Sequence, residues 1–250
     1  MSKNFELMQH AEMTREIPAT GVTTRHPVTN GQKNGIHLNW KDKVSREESF
    51  KLVQNIFLLH GKESPRVVTF AGIDSGNGCS WICAQVAEIL ASQRLGSVCL
   101  VDANLHSPSL PEMFGVSNHF GLSDALSKSG SIQDFTKVVR SDNLSLLSCG
   151  SQAAASLSLL NSEKMKVRVA ELREQFDYIV IDSPPLNAYS DGVAVGQLSD
   201  GLVLVLEANS TRREAAAKVV EDLRAAKIKI LGAVLNKRTF PIPEALYNLL

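Results

Sequence analysis

Apolar residues come along this chain in short, nearly continuous runs, separated by longer stretches in which they recur every three or four positions. The runs are Val67 to Phe70, Val98 to Val101, Leu144 to Leu147, Ile179 to Ile181, Leu202 to Leu206 and Ile230 to Leu235. Runs of this kind suit strands that are buried on both faces, as in a parallel sheet. The periodic stretches between them predict helices. Trp81 to Ala91 carries Ile82, Val86 and Leu90 along one face, Ser162 to Phe176 carries Met165, Val169 and Leu172, and Thr211 to Ala226 continues the alternation. Gly121 to Leu126 reads as a short capped helix. Lys43 to Leu59 predicts an amphipathic helix before the first strand, with Phe50, Val53, Ile56 or Phe57, and Leu59 on its packing face. Strands alternating with helices imply right-handed βαβ units, and so an α/β fold with a mainly parallel sheet and helices on both faces. Residues 1–43 mix polar residues with proline and glycine without a sustained period and read as a disordered arm. Residues 44–250 then form one domain, ending in a docking segment from Pro241 to Leu250, with no internal repeat.

Composition narrows the partners more than the fold. Lysine plus arginine equals aspartate plus glutamate at 26 each, so global charge gives no expectation of nucleic acid or an anionic membrane. The N-terminal residues lack the pattern of a secretory signal, and no window approaches a membrane span, which predicts a cytoplasmic protein that reaches a membrane only through a partner. Cys79, Cys83, Cys99 and Cys149 lie in or beside apolar runs and read as reduced, buried thiols. Their spacing matches no zinc motif, because the Cys79/Cys83 pair has neither a second pair nor a nearby histidine.

The chemistry concentrates after the first strand. Gly72, Gly76 and Gly78 form a glycine loop that runs into a helix, which makes Asp74, Ser75, Gly76, Asn77, Gly78, Cys79, Ser80 and Trp81 candidates for holding phosphate. Glycine lets backbone N–H groups close around phosphate oxygens, and the helix start adds donors of its own. A P-loop ordinarily ends Gly-Lys-Ser/Thr, with lysine on the β- and γ-phosphates and the hydroxyl on Mg2+. This chain reads Gly78-Cys79-Ser80. A hydrogen bond to a charged group contributes about 1.5–3 kcal/mol, so an unreplaced lysine implies nucleotide binding weakened roughly ten- to 150-fold, and phosphoryl transfer weakened further. Cys79 itself reads as a small neutral residue, or as a thiolate activated by the helix start. Asp102 and Asp182 each end a buried run, at the sheet edge where open α/β folds bind ligands. Trp81 stands where a dinucleotide-binding loop would need its third glycine, which sets that alternative aside.

These blocks resemble, in order, the cytoplasmic kinase domain of bacterial tyrosine autokinases of capsule and exopolysaccharide synthesis, within the MinD/ParA-like P-loop NTPases. Gly72 to Ser80 resembles the Walker A loop, Val98 to Leu110 the second acidic motif, Phe176 to Pro185 the Walker B strand, and Ile230 to Asn236 the strand whose asparagine contacts adenine; Gly121 to Leu126 is a recurring family segment. The resemblance implies ATP and Mg2+ as cofactors, with Ser80 and Asp182 on the metal. It gives Asp102 a second metal contact and the role of deprotonating the attacking tyrosine, and it places Asn236 at the base. It also implies an integral-membrane polysaccharide chain-length or copolymerase protein as partner, location at the inner membrane through that partner, and self-association. The chain departs from the pattern at Cys79, at Asn104 in place of a second acid, at Lys51 and Gln54 in place of an oligomerising arginine pair, and at its C-terminus, where Tyr247 stands in place of a tyrosine cluster. Three expectations follow: a tyrosine autokinase weakened by the lost lysine, a catalytically inactive nucleotide-binding scaffold of the same assembly, or a MinD/ParA-like regulatory ATPase.

Overall fold

The structure, a computed structural model, describes residues 43–59, 61–140, 143–151 and 157–238; the expected arm, Tyr247 and the expected docking segment lie outside them. The strands are β1 (Val67–Gly72), β2 (Val98–Asp102), β3 (Lys137–Val138), β4 (Leu144–Leu147), β5 (Tyr178–Ser183), β6 (Gly201–Glu207) and β7 (Ile230–Asn236). The helices are α1 (Lys43–Val53), α2 (Cys79–Ser92), α3 (Leu110–Phe114), α4 (Leu122–Ser127), α5 (Glu163–Gln175), α6 (Asp191–Gly196) and α7 (Arg213–Ala225). All seven strands join one sheet in the order β3-β4-β2-β5-β1-β6-β7, parallel except for β3, which pairs antiparallel with β4 at the edge.

The apolar runs are continuous because each strand faces a core on both sides. Val68, Phe70, Leu100 and Val180 point into the core under α1 and α2. Their neighbours Val67, Cys99, Val101, Ile179 and Ile181 point into the opposite core, with Met165, Val169 and Leu172 of α5. Alternation along each strand thus feeds two hydrophobic layers.

The helix before β1 packs on α2, and a buried hydrogen bond from Ser49 Oγ to Gln85 Oε1 at 2.7 Å joins the two. After Val53 it widens into a looser turn over Gln54–Leu58, with Leu59 N–H donating to the Gln54 carbonyl at 3.0 Å. That turn carries an extra residue and rotates later side chains around the axis. Leu59, expected on the packing face, is 67% exposed, whereas Ile56 and Phe57 are both buried. Three elements have no counterpart in the sequence reading: β3, α3 and α6. Each is too short to display a period. Among the described residues, no helix is long and apolar enough to cross a membrane.

Candidate functional site

The strand order brings three chain segments to one edge of the sheet. β5 lies between β1 and β2, in register so that Asp102 at the end of β2 stands beside Asp182 near the end of β5. The glycine loop leaves β1 next to them and enters α2 at Cys79.

Gly76 and Gly78 take φ of 84° and 85°, left-handed values that strain any other residue type, and this bends the loop back over the helix start. Ile82 N–H makes the first intrahelical bond, to the Gly78 carbonyl at 3.1 Å. The N–H groups of Cys79, Ser80 and Trp81 therefore precede the helical ladder and form the rim available to an anion. The Trp81 indole packs into the core under α2, so this residue contributes backbone to the rim.

Side chains from four other places fix the loop. Asn77 Oδ1 accepts from Asp74 N–H at 2.6 Å, and Asn77 Nδ2 donates to Thr211 Oγ1 at 3.2 Å. Asn236 Nδ2 donates to the Asn77 carbonyl at 2.8 Å, and Asn187 Nδ2 donates to Asp74 Oδ1 at 2.9 Å. The segment after β5 adds backbone bonds, Leu186 N–H to the Gly72 carbonyl at 2.9 Å and Asn187 N–H to the Ile73 carbonyl at 3.0 Å. Lys237 was not visible as a site residue from sequence. Its Nζ donates to the Gly76 carbonyl at 2.6 Å and pairs with Glu207 Oε2 at 3.1 Å, so its charge holds the loop from outside.

The carboxylates are in a different condition. Asp102 and Asp182 are fully buried, and Asp102 Oδ1 and Asp182 Oδ2 have no hydrogen-bond partner. Burial pushes the Asp182 carboxyl up to about 6, against hydrogen bonds from Ser80, Cys79 and Cys83 that favour its charged form. Burial, and then the charge of Asp182, push Asp102 well above the carboxylate range, although backbone N–H groups including that of Leu110 act the other way. Two adjacent buried acids, each with an oxygen unsatisfied, suit a divalent cation, which would supply the missing partner and the opposite charge. A hydroxyl at Ser80 and a cradle of N–H groups beside them suit the phosphates of a magnesium nucleotide.

The thiol at the lysine position is uncharged. Burial raises Cys79 to about 11, and the Asp182 charge acts in the same direction, which favours the reading as a small neutral residue over that of an activated thiolate. All four cysteines are free; Cys83, Cys99 and Cys149 are buried as expected, whereas Cys79, at the start of α2, is only half-buried. The fold adds what spacing could not reveal: Cys79 Sγ, Cys83 Sγ and an Asp182 oxygen all lie within 4.8 Å of one another.

Asn104, in place of a second acid, accepts from Ser107 N–H at 3.3 Å and shapes the turn after β2. His106 follows it. Its ring stacks on Tyr189 at 3.5 Å and its Nε2 lies 2.8 Å from Asp191 Oδ2, which ties the loop after β2 to the loop after β5.

The parallel sheet, the glycine loop opening α2 and the two acids on adjacent strand ends define a P-loop NTPase. The chain belongs to that class: residues 66–247 match the family model described as ParA, NUBPL iron-transfer P-loop NTPase. Among curated relatives, the tyrosine-protein kinase YwqD of Bacillus subtilis is 30% identical over 205 residues, covering 82% of this chain and 86% of its own. The succinoglycan biosynthesis transport protein ExoP of Rhizobium meliloti is 31% identical over 72% of this chain, yet the match takes up only 23% of ExoP. Among solved structures, the VpsO kinase domain aligns with a TM-score of 0.70 at 28% identity, covering 80% of this chain and 100% of that domain. Relatives named for tyrosine kinase activity and for polysaccharide biosynthesis thus carry this domain, alone or within much longer chains.

Proposed function

We propose that this protein is an ATP- and Mg2+-binding member of the tyrosine-autokinase type that serves capsule or exopolysaccharide synthesis, with phosphoryl transfer slowed by Cys79. One observation carries this reading. The loop and carboxylates suit a magnesium nucleotide, while the side chain at the lysine position is a half-buried thiol facing Asp182, its pKa raised to about 11. Bound Mg2+ would neutralise charge on the transferring phosphoryl group. Ser80, Asp182 and Asp102 are the residues to hold it. The N–H groups at the start of α2, those of Cys79, Ser80 and Trp81, hold the phosphates, Asp74 shapes the loop through its N–H bond to Asn77, and Asn236 lies beside the loop for the base. A cation would counter the burial and the Asp182 charge that raise the Asp102 pKa and so favour its carboxylate, the form that can accept a proton from a tyrosine hydroxyl. The relative named for succinoglycan biosynthesis and transport supports a partner in polysaccharide transport, for which we assign an integral-membrane copolymerase, and the acceptor assigned here is Tyr247.

The neutral thiol equally favours a second reading, a nucleotide-responsive scaffold in the same assembly that binds without turnover. Calorimetric titration of Mg-ATP into the wild type and Cys79→Lys, with turnover measured on the same preparations, separates the two. Slow but measurable wild-type turnover that rises in Cys79→Lys supports the kinase. Binding with wild-type turnover at background supports the scaffold, and absence of nucleotide binding in both proteins rejects both readings. If Tyr247 is the acceptor, phosphotyrosine in the purified protein disappears in Tyr247→Phe; its persistence assigns another acceptor.

A further inference from the structure

We infer that Cys79, Cys83 and Asp182 form a binding site for a thiophilic divalent cation of the Zn2+ class, and that its occupation excludes the magnesium nucleotide. Cys79 and Cys83 are four residues apart on α2, a spacing that puts both thiols on one face of the helix. Asp182 comes from β5, a central strand, so the third ligand is held by the sheet. The Cys83 Sγ to Asp182 Oδ1 distance is 3.7 Å. A tetrahedral ion with bonds of ~2.3 Å to sulfur and ~2.1 Å to oxygen needs those atoms roughly 3.6 Å apart. Independently of the thiols, Asp182 is fully buried with Oδ2 unpartnered, the condition of a ligand atom lacking its ion. Among the described residues, no other set of three or more such side chains converges in this way.

Three protein ligands leave a fourth position open, and half-buried Cys79 supplies the way in. Binding replaces two S–H bonds by two metal–thiolate bonds and releases two protons to solvent. The product carries one net negative charge, from a dication, two thiolates and a carboxylate. Two consequences make it antagonistic to nucleotide. Asp182 is removed from any Mg2+, which accepts oxygen ligands and not thiolates, and a negative cluster at the head of α2 repels phosphate. The ion site stands apart from the proposed function, whereas the antagonism rests on that reading.

The test is titration of the full-length, reduced and chelator-treated protein with Co2+, followed by absorbance. The expected result is one ion per chain, with a thiolate-to-cobalt charge-transfer band and tetrahedral ligand-field bands, both displaced by Zn2+. Cys83→Ala and Cys83→Ser should each lose at least tenfold in affinity, while Cys149→Ala keeps the wild-type signal. A melting curve of each variant confirms folding, and Zn2+ should raise Tm in the wild type and not in the Cys83 variants. A band that survives both Cys83 variants, one lost in Cys149→Ala, or the absence of any thiolate band overturns the site. Mg-ATP affinity is then compared between Zn2+-loaded and metal-free protein. A loss of at least tenfold, abolished in Cys83→Ala, is expected, and equal affinity overturns the antagonism. If the metal-free protein binds no Mg-ATP while the cobalt spectrum is as expected, the nucleotide reading fails and the ion site stands.

Discussion

The two halves of the site are built on opposite principles. Around the glycine loop, side chains hold the backbone and one another in place: Asn77 bonds Asp74 and Thr211, Asn236 bonds Asn77, Asn187 bonds Asp74, and Lys237 bonds Gly76. A few ångströms away, Asp102 and Asp182 are buried with an oxygen each unpartnered and their pKa values raised. The loop is preorganised, so little ordering is left to offset when phosphate binds. The acids carry an electrostatic penalty that a cation would remove. Stability lost at the carboxylates is thus available as affinity for a metal, and the loop decides where its phosphate partner sits.

Reversing the charge at the boundary of the two halves should give the largest effect. Cys79→Lys places an ammonium where a neutral thiol now faces Asp182, and turnover should rise by about 10²-fold or more, the scale on which positioned charge acts in a transition state. Unchanged turnover in a variant that binds Mg-ATP normally would remove Cys79 as the limiting residue.

The acid half is broken next by Asp182→Asn. The folded pKa of Asp182, about 6, lies above its ordinary 3.8, so the folded state holds this proton more tightly than the unfolded chain. The associated stability is complete below about 3.8 and is lost as pH rises through about 6. A shift of this size corresponds to roughly 3 kcal/mol. In metal-free protein, denaturant titrations should show the Asn variant gaining on the wild type across that window, while Mg2+ dependence of nucleotide binding disappears. A difference that does not vary with pH would contradict this account.

Loosening the loop half should cost less. Asn77 is buried and bonds at both ends of its amide, so Asn77→Ala should destabilise the fold by about 2 kcal/mol and weaken nucleotide binding about tenfold, read by denaturation and calorimetry. The smallest effect belongs to Lys237→Met. Its partly exposed pair with Glu207 should be worth less than ~1 kcal/mol, with nucleotide affinity falling only a few-fold. A loss as large as that of Asn77→Ala would mean that the Lys237 charge reaches the ligand as well as the loop.

Much of this was legible along the chain. Ile82, Val86 and Leu90 announce α2, Ile179 to Ile181 announce β5, and Pro184 and Pro185 stop that strand one residue past Asp182. β3 was not legible, because two residues show no period and their pairing with β4 is set by the sheet edge. Leu59 misled for a related reason. A regular helical period places it on the packing face, and the wider turn before it, which periodicity does not reveal, removes it.

The sequence by itself determined the alternation of strand and helix, the glycine loop and the two acids closing buried runs, because these are written in neighbouring residues through side-chain period and backbone freedom. Tertiary structure alone decided that β5 lies between β1 and β2, and with it that Asp182 meets Asp102 on one side and the thiols of Cys79 and Cys83 on the other. Strand order is fixed by how the crossover helices cover both faces of the whole sheet, an arrangement of distant segments that no local pattern encodes.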